Sequence, residues 1–304
     1  MQPLIELQNI DVALNGMTVL RDLTWQLRRG EHWAIGGANG SGKSTFLKLL
    51  RGDVSPVPKK GWRSSCFGGV EQRTAVGLKK RIALVSPELQ DRYLQQEWKL
   101  TGLQVVHSGF QNGDYVYQKP TATQKEFAGK IVGLLGARPL LLRNIQQLST
   151  GELRKLLIAR ALAGKPEALA LDEACDGLDA SARADLLQTL ERVAQSGTQL
   201  LVATHRDEEL LSCMTHSLVL HDGRIARTGE AESGRGLPQS KTLARLPASR
   251  TGEAFGLRQP SAAFRPARAN GVSKTLLRIE GANVFLERKK ILHDLNWEIL
   301  DHQH

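Results

Sequence analysis

Apolar and polar residues follow strand-like and helix-like periods in turn along most of the chain. Alternation at Leu4–Leu7 and Val19–Leu27 predicts strands, and the apolar run His32–Ile35 predicts a buried strand. Later segments predict a strand at Arg81–Val85, a mostly helical polar region from Glu97 to Asn144, a helix at Gly151–Ala163, a strand at Ala168–Leu171, a helix at Ala180–Gln195 and a strand at Gln199–Ala203. Strands that alternate with helices predict an α/β fold whose mostly parallel sheet is covered on both faces.

The periodicity stops near Glu230 and returns as a repeat. From there to Ser273 the chain is rich in Gly, Pro, Ser, Ala and Arg, which predicts a linker without regular structure. Asp22-Leu23-Thr24-Trp25 matches Asp294-Leu295-Asn296-Trp297, and flanking apolar positions match at the same offset. We expect a domain over residues 1–229, a basic linker over 230–274, and the first strands of a truncated second copy over 275–304.

Composition narrows the class of protein without naming a function. The three cysteines, Cys66, Cys175 and Cys213, are widely spaced and fit packing roles in a reducing cytosol. No apolar stretch approaches the roughly 20 residues that span a bilayer, so we expect a chain that does not cross a membrane by itself. The net charge of +10 discriminates weakly between partners. The basic segment from Lys59 to Arg81 contains Trp62, which is better explained as a packing anchor in a loop than as a nucleic-acid contact.

A glycine-rich loop follows the buried strand and opens a helix from Thr45 to Leu50. The loop consists of Gly37, Ala38, Asn39, Gly40, Ser41, Gly42, Lys43, Ser44 and Thr45. Glycine lets backbone N–H groups curl around a β-phosphate, and the helix N-terminus adds a partial positive charge. The spacing predicts that Lys43 reaches the β- and γ-phosphates and that the Ser44 hydroxyl holds Mg²⁺. We therefore predict a nucleotide site.

Polar residues end two of the predicted buried strands. Asp172 and Glu173 follow Leu171, which places Asp172 where it can hold Mg²⁺ and makes Glu173 the candidate general base for an attacking water. His205 follows the strand that ends at Ala203, so it lies at the same edge of a parallel sheet. Alone it is better explained as a helix-capping residue, but beside these motifs it is predicted to contact the γ-phosphate.

A small-residue turn, Leu148-Ser149-Thr150-Gly151-Glu152, opens the helix that precedes the acidic pair. Alone it predicts a helix cap, with Ser149 as the capping residue and Glu152 as its capping-box partner. The order of glycine-rich loop, this turn, Leu171-Asp172-Glu173, Asp176-Gly177-Leu178-Asp179 and His205 resembles the ATP-binding cassette (ABC) ATPases. The resemblance covers residues 4 to about 229, and the repeat from about 275 resembles the first strands of another cassette.

The resemblance implies a P-loop NTPase fold with antiparallel and helical subdomains, and a site that two cassettes share. ATP and Mg²⁺ would lie between the loop of one cassette and the signature turn of another. The loop at 37–45 would be the Walker A motif, Asp172 the Walker B aspartate, Glu173 the catalytic glutamate and His205 the switch histidine. The signature residues would be Ser149, Thr150, Gly151 and Glu152, and the D-loop aspartate would be Asp179. ATP binding would close the pair and hydrolysis would open it.

Several positions depart from the family pattern. Thr150 replaces a signature glycine and Ala174 replaces the usual proline, and both departures resemble the tandem-cassette proteins associated with molybdate uptake (ModF type). Leu14 stands where an adenine-stacking aromatic is usual, so only apolar contact is expected there. The Q-loop glutamine would fall at Pro87, and Gln90 is the predicted substitute.

The leading hypothesis is an ATPase subunit of a transporter. The residues do not identify the cargo, and only the resemblance to the ModF type implies molybdate. The ATPase subunit would dock on a membrane-spanning subunit through residues 90–144, peripherally on the cytoplasmic face of the inner membrane. The alternative is an ABC-F-like tandem cassette acting on the ribosome or nucleic acid; the Pro- and Gly-broken linker disfavours it, and no direct nucleic-acid contact is expected. A third hypothesis is a regulatory or binding module that does not hydrolyse ATP. It is disfavoured because the residues expected for hydrolysis are all present: Lys43, Asp172, Glu173 and His205. With one loop and one signature turn in the sequence, hydrolysis is expected to require a homodimer or another cassette.

Overall fold

The computed structural model describes residues 2–95 and 99–231, and the backbone of two strands over 275–286 and 289–300. Contacts divide the chain into two units, Met1–Leu246 and Pro247–His304. The division falls inside the segment predicted to be a linker. The predicted domain bounds stay predictions, because residues 232–274 lie outside the described part.

The first unit alternates strands and helices as predicted. Its strands are β1 (Ile5–Leu14), β2 (Met17–Leu27), β3 (Trp33–Gly36), β4 (Trp62–Phe67), β5 (Val70–Gln72), β6 (Ile82–Val85), β7 (Ala168–Asp172), β8 (Gln199–Ala203), β9 (His216–His221) and β10 (Arg224–Glu230). Its α-helices are α1 (Lys43–Arg51), α2 (Leu78–Arg81), α3 (Pro87–Gln95), α4 (Gly102–Ser108), α5 (Ala122–Leu134), α6 (Thr150–Ala163) and α7 (Ala180–Gln195). The predicted α/β class is confirmed, and α7 and β8 begin and end where the periodicity placed them.

A six-stranded sheet in the order β10-β9-β3-β8-β7-β6 forms the centre of the first unit. Strands β9, β3, β8, β7 and β6 run parallel, and β10 pairs antiparallel with β9. Ile35 lies opposite Ala203 on β8, and Ala203 lies opposite Asp172 on β7. The ends of three neighbouring strands therefore reach one edge of the sheet together.

A second, antiparallel sheet in the order β2-β1-β4-β5 shares a hydrophobic cluster with one face of the main sheet and with α1. In that cluster Trp25 makes edge contacts with Trp33 and Phe46, at centroid distances of 5.0 Å and 5.1 Å. The prediction that Trp62 lies in a loop is wrong, because it begins β4. The strand was missed since its buried residues are polar: the Arg63 guanidinium is buried and donates to a backbone carbonyl.

The other face of the main sheet is covered by helices α4 to α7, which form a second cluster with alternate residues of β7 and β8. Leu169 and Leu171 point into this cluster, whereas Ala168 and Ala170 point into the first one. The short 3-10 helix that follows α4 approaches α6 closely at Gly109, where a Cβ atom would lie 1.9 Å from the Arg160 carbonyl oxygen. None of the described helices combines the length and apolarity that a membrane crossing demands.

The second unit contains an antiparallel hairpin of β11 (Thr275–Leu286) and β12 (Lys289–Leu300). Its register repeats that of β1 and β2: Ile279 pairs with Trp297 as Leu7 pairs with Trp25. The three irregularities of the β1–β2 pairing recur at matching positions in β11–β12, which has one more between Thr275 and Leu277. The sequence repeat is thus accompanied by the same strand pairing.

Leu169 and Leu142 offer a test of the second hydrophobic cluster, which lies between helices α4 to α7 and the main sheet. Leu169 is fully buried on β7, whereas Leu142 is 85% exposed. Replacing Leu169 by Ala removes packed methyl groups and should lower the free energy of unfolding by roughly 2–5 kcal/mol. Leu142→Ala, the same chemical change at the surface, should alter it by less than about 0.5 kcal/mol. Urea denaturation followed by circular dichroism measures both, and equal losses would contradict the assignment of this core.

Candidate nucleotide site

The glycine-rich loop turns tightly between β3 and α1. Gly37, Gly40 and Gly42 have φ angles of 140°, 80° and 104°, a region that residues with a Cβ atom rarely adopt. A Cβ atom at Gly37 would lie 2.4 Å from the Leu220 carbonyl oxygen and 2.6 Å from the Ser41 hydroxyl oxygen. The loop therefore requires glycine for both its backbone conformation and its space.

A cavity of about 370 Å³ opens beside this loop. Its lining consists of Val19, Asn39, Gly40, Gly42, Lys43, Ser44, Thr45 and Glu173. The structure thus brings most of the predicted loop residues and the candidate base to one space, whereas Gly37, Ala38 and Ser41 are not among its lining residues. Val19 was not predicted, because an apolar residue on an alternating strand gives no sign of the cavity that it faces.

The Lys43 side chain lies across the loop. Its side chain is only 4% exposed, and Nζ donates hydrogen bonds to the carbonyl oxygens of Gly37, at 2.9 Å, and Ala38, at 3.2 Å. Nζ also lies 3.4 Å from Oε1 of Glu173. A buried ammonium held by two neutral carbonyls and one carboxylate is well placed to attract a phosphate oxygen.

Glu173 connects Lys43 to the predicted switch histidine. Its Oε1 lies 3.6 Å from Nδ1 of His205, and its backbone N–H donates to the Ala203 carbonyl oxygen at 2.9 Å. Nε2 of His205 accepts a hydrogen bond from Nε of Arg206 at 3.3 Å. A neutral His205 imidazole therefore carries its proton on Nδ1, the nitrogen that faces Glu173.

Asp172 is buried at the end of β7, one residue before the candidate base. Burial raises the pKa of its carboxyl group, and the neighbouring Ser44 hydroxyl partly offsets this. Oδ1 of Asp172 is buried without a hydrogen-bond partner. A buried carboxylate oxygen beside a hydroxyl is the kind of oxygen donor set that Mg²⁺ prefers, so these two residues fit the ion.

The segment after β8 is held by a buried carboxylate that sequence reasoning missed. Glu209 is 2% exposed, and its Oε2 accepts a hydrogen bond from the Thr204 hydroxyl at 2.6 Å. Nε atoms of Arg183 and Arg206 each lie 3.8 Å from its Oε1. Three acidic residues follow one another here, and nothing in their order tells which one turns inward.

The predicted signature turn forms a helix cap. The Ser149 hydroxyl accepts a hydrogen bond from the Glu152 N–H, and Glu152 accepts one from the Ser149 N–H, which completes the predicted capping box. Ser149, Gly151 and Glu152 line a separate cavity of about 290 Å³. Asp179, the predicted D-loop residue, caps α7 by accepting from the Ala182 N–H at 2.8 Å. Both turns present helix N-termini, which suit negatively charged groups.

Comparison with known proteins decides the family. The family model described as ABC transporter matches residues 20–176. An uncharacterized ABC transporter ATP-binding protein of Lactococcus lactis, YmeB, is 35% identical over 240 residues, which are 76% of this chain and 88% of that protein. The chain belongs to the ABC transporter family. It is an ATP-binding subunit of the ABC type and thus a P-loop ATPase.

Other relatives and solved cassettes agree with this family. The ABC transporter ATP-binding protein ModF of Escherichia coli is 34% identical over 233 residues, 74% of this chain but 46% of ModF. The crystal structure of a nucleotide-free ATP-binding cassette from an ABC transporter matches with a TM-score of 0.63 at 22% identity, over 76% of this chain and 92% of that one. The dimeric structure of a bacterial ABC transporter cassette matches with a TM-score of 0.60 at 21% identity, over 74% and 98%. These structures confirm the cassette fold.

Two residues that were predicted to contact the nucleotide, Gln90 and Leu14, do not line the loop cavity. Gln90 lies in α3, is buried, and its Oε1 accepts a hydrogen bond from Nε of Arg154 at 3.0 Å. Leu14 pairs with Met17 at the tip of the β1–β2 hairpin and is 37% exposed. The nucleotide contacts of both residues stay predictions.

Replacing Gly37 by Ala tests the shape of the loop. The new Cβ atom would collide with the Leu220 carbonyl, so the loop must shift and its N–H groups lose their common focus. We expect the dissociation constant of a fluorescent ATP analogue to rise about tenfold or more, a cost of about 1.4 kcal/mol. Gly30→Ala is the matched control, because Gly30 also has a positive φ of 85° but no atom within 4 Å of its Cβ position. Equal affinities of the two variants would contradict the argument.

Proposed function

We propose that this cassette hydrolyses ATP to drive a transporter, with Glu173 as the general base. The observation that carries the proposal is the position of the Glu173 carboxylate on the loop cavity, 3.4 Å from Nζ of Lys43 and 3.6 Å from Nδ1 of His205. A carboxylate between a phosphate-binding ammonium and an imidazole can accept the proton of a water that attacks the γ-phosphate.

Lys43, Glu173 and His205 each have a task in this proposal. The β- and γ-phosphate oxygens of ATP replace the carbonyls of Gly37 and Ala38 as acceptors of the Lys43 N–H groups. The freed Glu173 carboxylate orients the attacking water, and Nδ1–H of His205 points toward the same place. Because Lys43 is buried, its charge acts on the phosphate with little screening by solvent.

Mg²⁺ would be held by the Ser44 hydroxyl and the Asp172 carboxylate. The unpartnered Oδ1 of Asp172 supports this assignment, since a buried carboxylate oxygen is costly without a proton donor or a cation. The ion would neutralise charge that develops on the phosphates during hydrolysis.

The partners in this proposal are a second cassette and a membrane-spanning subunit. The signature turn at 149–152 and the loop cavity are separate surfaces, and a dimeric structure is known for a cassette of this fold. The membrane-spanning subunit would contact the region 90–144, which places the chain peripherally on the cytoplasmic face of the inner membrane. Cassette closure on ATP then moves that subunit, and hydrolysis releases it.

Molybdate stays the proposed cargo class. Two relatives support it by their names, ModF and the Molybdate/tungstate import ATP-binding protein WtpC of Thermococcus kodakarensis, which is 30% identical over 228 residues. The relative PotA of Fusobacterium nucleatum is 27% identical to this chain. Its name, Spermidine/putrescine import ATP-binding protein, indicates a different cargo. The ABC-F-like alternative depended on residues 230–274, most of which lie outside the described part of the chain.

Glu173→Gln tests the proposed base. The amide keeps the shape of the side chain but cannot accept the proton, so turnover should fall about 100-fold or more while ATP binding persists and the dimer is stabilised. Glu71→Gln is the control, because Glu71 is an exposed residue of β5, and it should keep the wild-type rate. Phosphate release and sedimentation in the presence of ATP measure the two effects. Unchanged turnover in Glu173→Gln would remove Glu173 from this role.

The need for a second cassette predicts how the rate depends on protein concentration. While most of the protein is monomeric, the ATPase rate should rise with the square of the concentration, because two chains must meet to form one site. Sedimentation at the same concentrations identifies the monomeric range. A rate that is simply proportional to the concentration of a monomeric sample would contradict a shared site.

A further inference from the structure

Arg154 is a buried cation on the signature helix α6. Arg154 is 4% exposed, and a buried guanidinium requires partners for its N–H groups. It donates to three neutral oxygens: Oε1 of Gln90 at 3.0 Å, the Ala174 carbonyl at 2.5 Å and the Asp176 carbonyl at 2.9 Å. These acceptors belong to α3 and to the turn that follows Glu173, so one side chain links three parts of the first unit.

The turn after Glu173 has a conformation that needs support. Glu173 has a φ of 45°, in the left-handed region that side chains other than glycine disfavour. Strand β8 holds this residue on one side, where the Glu173 N–H donates to the Ala203 carbonyl. Within the turn, the Asp176 N–H donates to the Glu173 carbonyl at 3.1 Å. Arg154 donates to two further carbonyls of the same turn, those of Ala174 and Asp176.

We propose that Arg154 is a positioning residue for Glu173, which holds the turn 174–176 so that the carboxylate stays between Lys43 and His205. The inference rests on the proposed function, in which Glu173 is the base. A guanidinium suits this task because its planar set of five N–H donors can reach two carbonyls and an amide oxygen together. A lysine at this position has three donors on one atom and cannot span the same acceptors.

Arg154→Gln and Arg154→Lys test this role by kinetics in the full chain, at a protein concentration that gives the maximal rate. Loss of the turn's support should displace the carboxylate and lower kcat about tenfold or more, since small displacements of a catalytic group are costly. The KM for ATP and the affinity for a fluorescent ATP analogue should stay within about twofold, because Arg154 has no hydrogen bond to Lys43 or to the glycine-rich loop that is proposed to bind the phosphates. Arg154→Lys keeps the cation and should retain part of the rate.

Arg63→Gln is the matched control. Arg63 is a second buried arginine, 6% exposed, and its Nη1 donates to the Leu49 carbonyl at 2.6 Å, away from the turn. Its replacement should lower stability without lowering kcat, which separates positioning from a general loss of packing. A fall in kcat as large as that of Arg154→Gln would overturn the proposal, as would Arg154 variants that raise KM at an unchanged kcat.

Hydrogen exchange gives a readout that needs no turnover. In Arg154→Gln, the Asp176 and Leu178 amides, which donate to the Glu173 and Cys175 carbonyls, should exchange faster than in the wild type and in Arg63→Gln. Unchanged exchange over 173–178 would overturn the positioning role. A wild-type chain without ATPase activity, or a fully active Glu173→Gln, would instead overturn the proposed function, and the exchange experiment would still decide what Arg154 holds.

Discussion

The parallel pairing of β3, β8 and β7 is the constraint on which the site depends. Because Ile35, Ala203 and Asp172 lie side by side in register, the segments that follow the three strands begin at one edge of the sheet. The glycine-rich loop, the imidazole and the two carboxylates come from distant parts of the chain, and they meet only because of this register. The two hydrophobic clusters on the faces of the sheet hold the strands in place.

The charged side chains at this edge of the sheet have few hydrogen-bond and ion-pair partners in the described part of the first unit. Lys43 is bound by loop carbonyls and by Glu173, and Glu173 in turn lies beside His205. Asp172 is left with a buried oxygen that has no donor. Such a site favours a polyanion together with a divalent cation, since the first satisfies the ammonium and the second satisfies the carboxylate.

Much of the fold and of the site could be predicted, but polar strands and long-range partners could not. Helix α7 and the capping box of Ser149 and Glu152 depend on residues near each other in sequence, so periodicity and spacing locate them. Strand β4 was missed because Arg63 and its serine neighbours are buried without being apolar. Gln90 was proposed from its sequence neighbours, and the structure shows that its amide oxygen is bonded to Arg154, far along the chain.

The sequence by itself determined the chemical groups and their local geometry: a loop that only glycine can form, carboxylates at a strand end, and capped helix N-termini. These follow from backbone sterics and short-range hydrogen bonds, which act within a few residues. Only the tertiary structure decided that Val19 lines the cavity, that Glu209 turns inward, and that Arg154 holds the turn after Glu173. Those contacts depend on which elements pack together, and a buried polar group takes whatever partner the packing brings within reach.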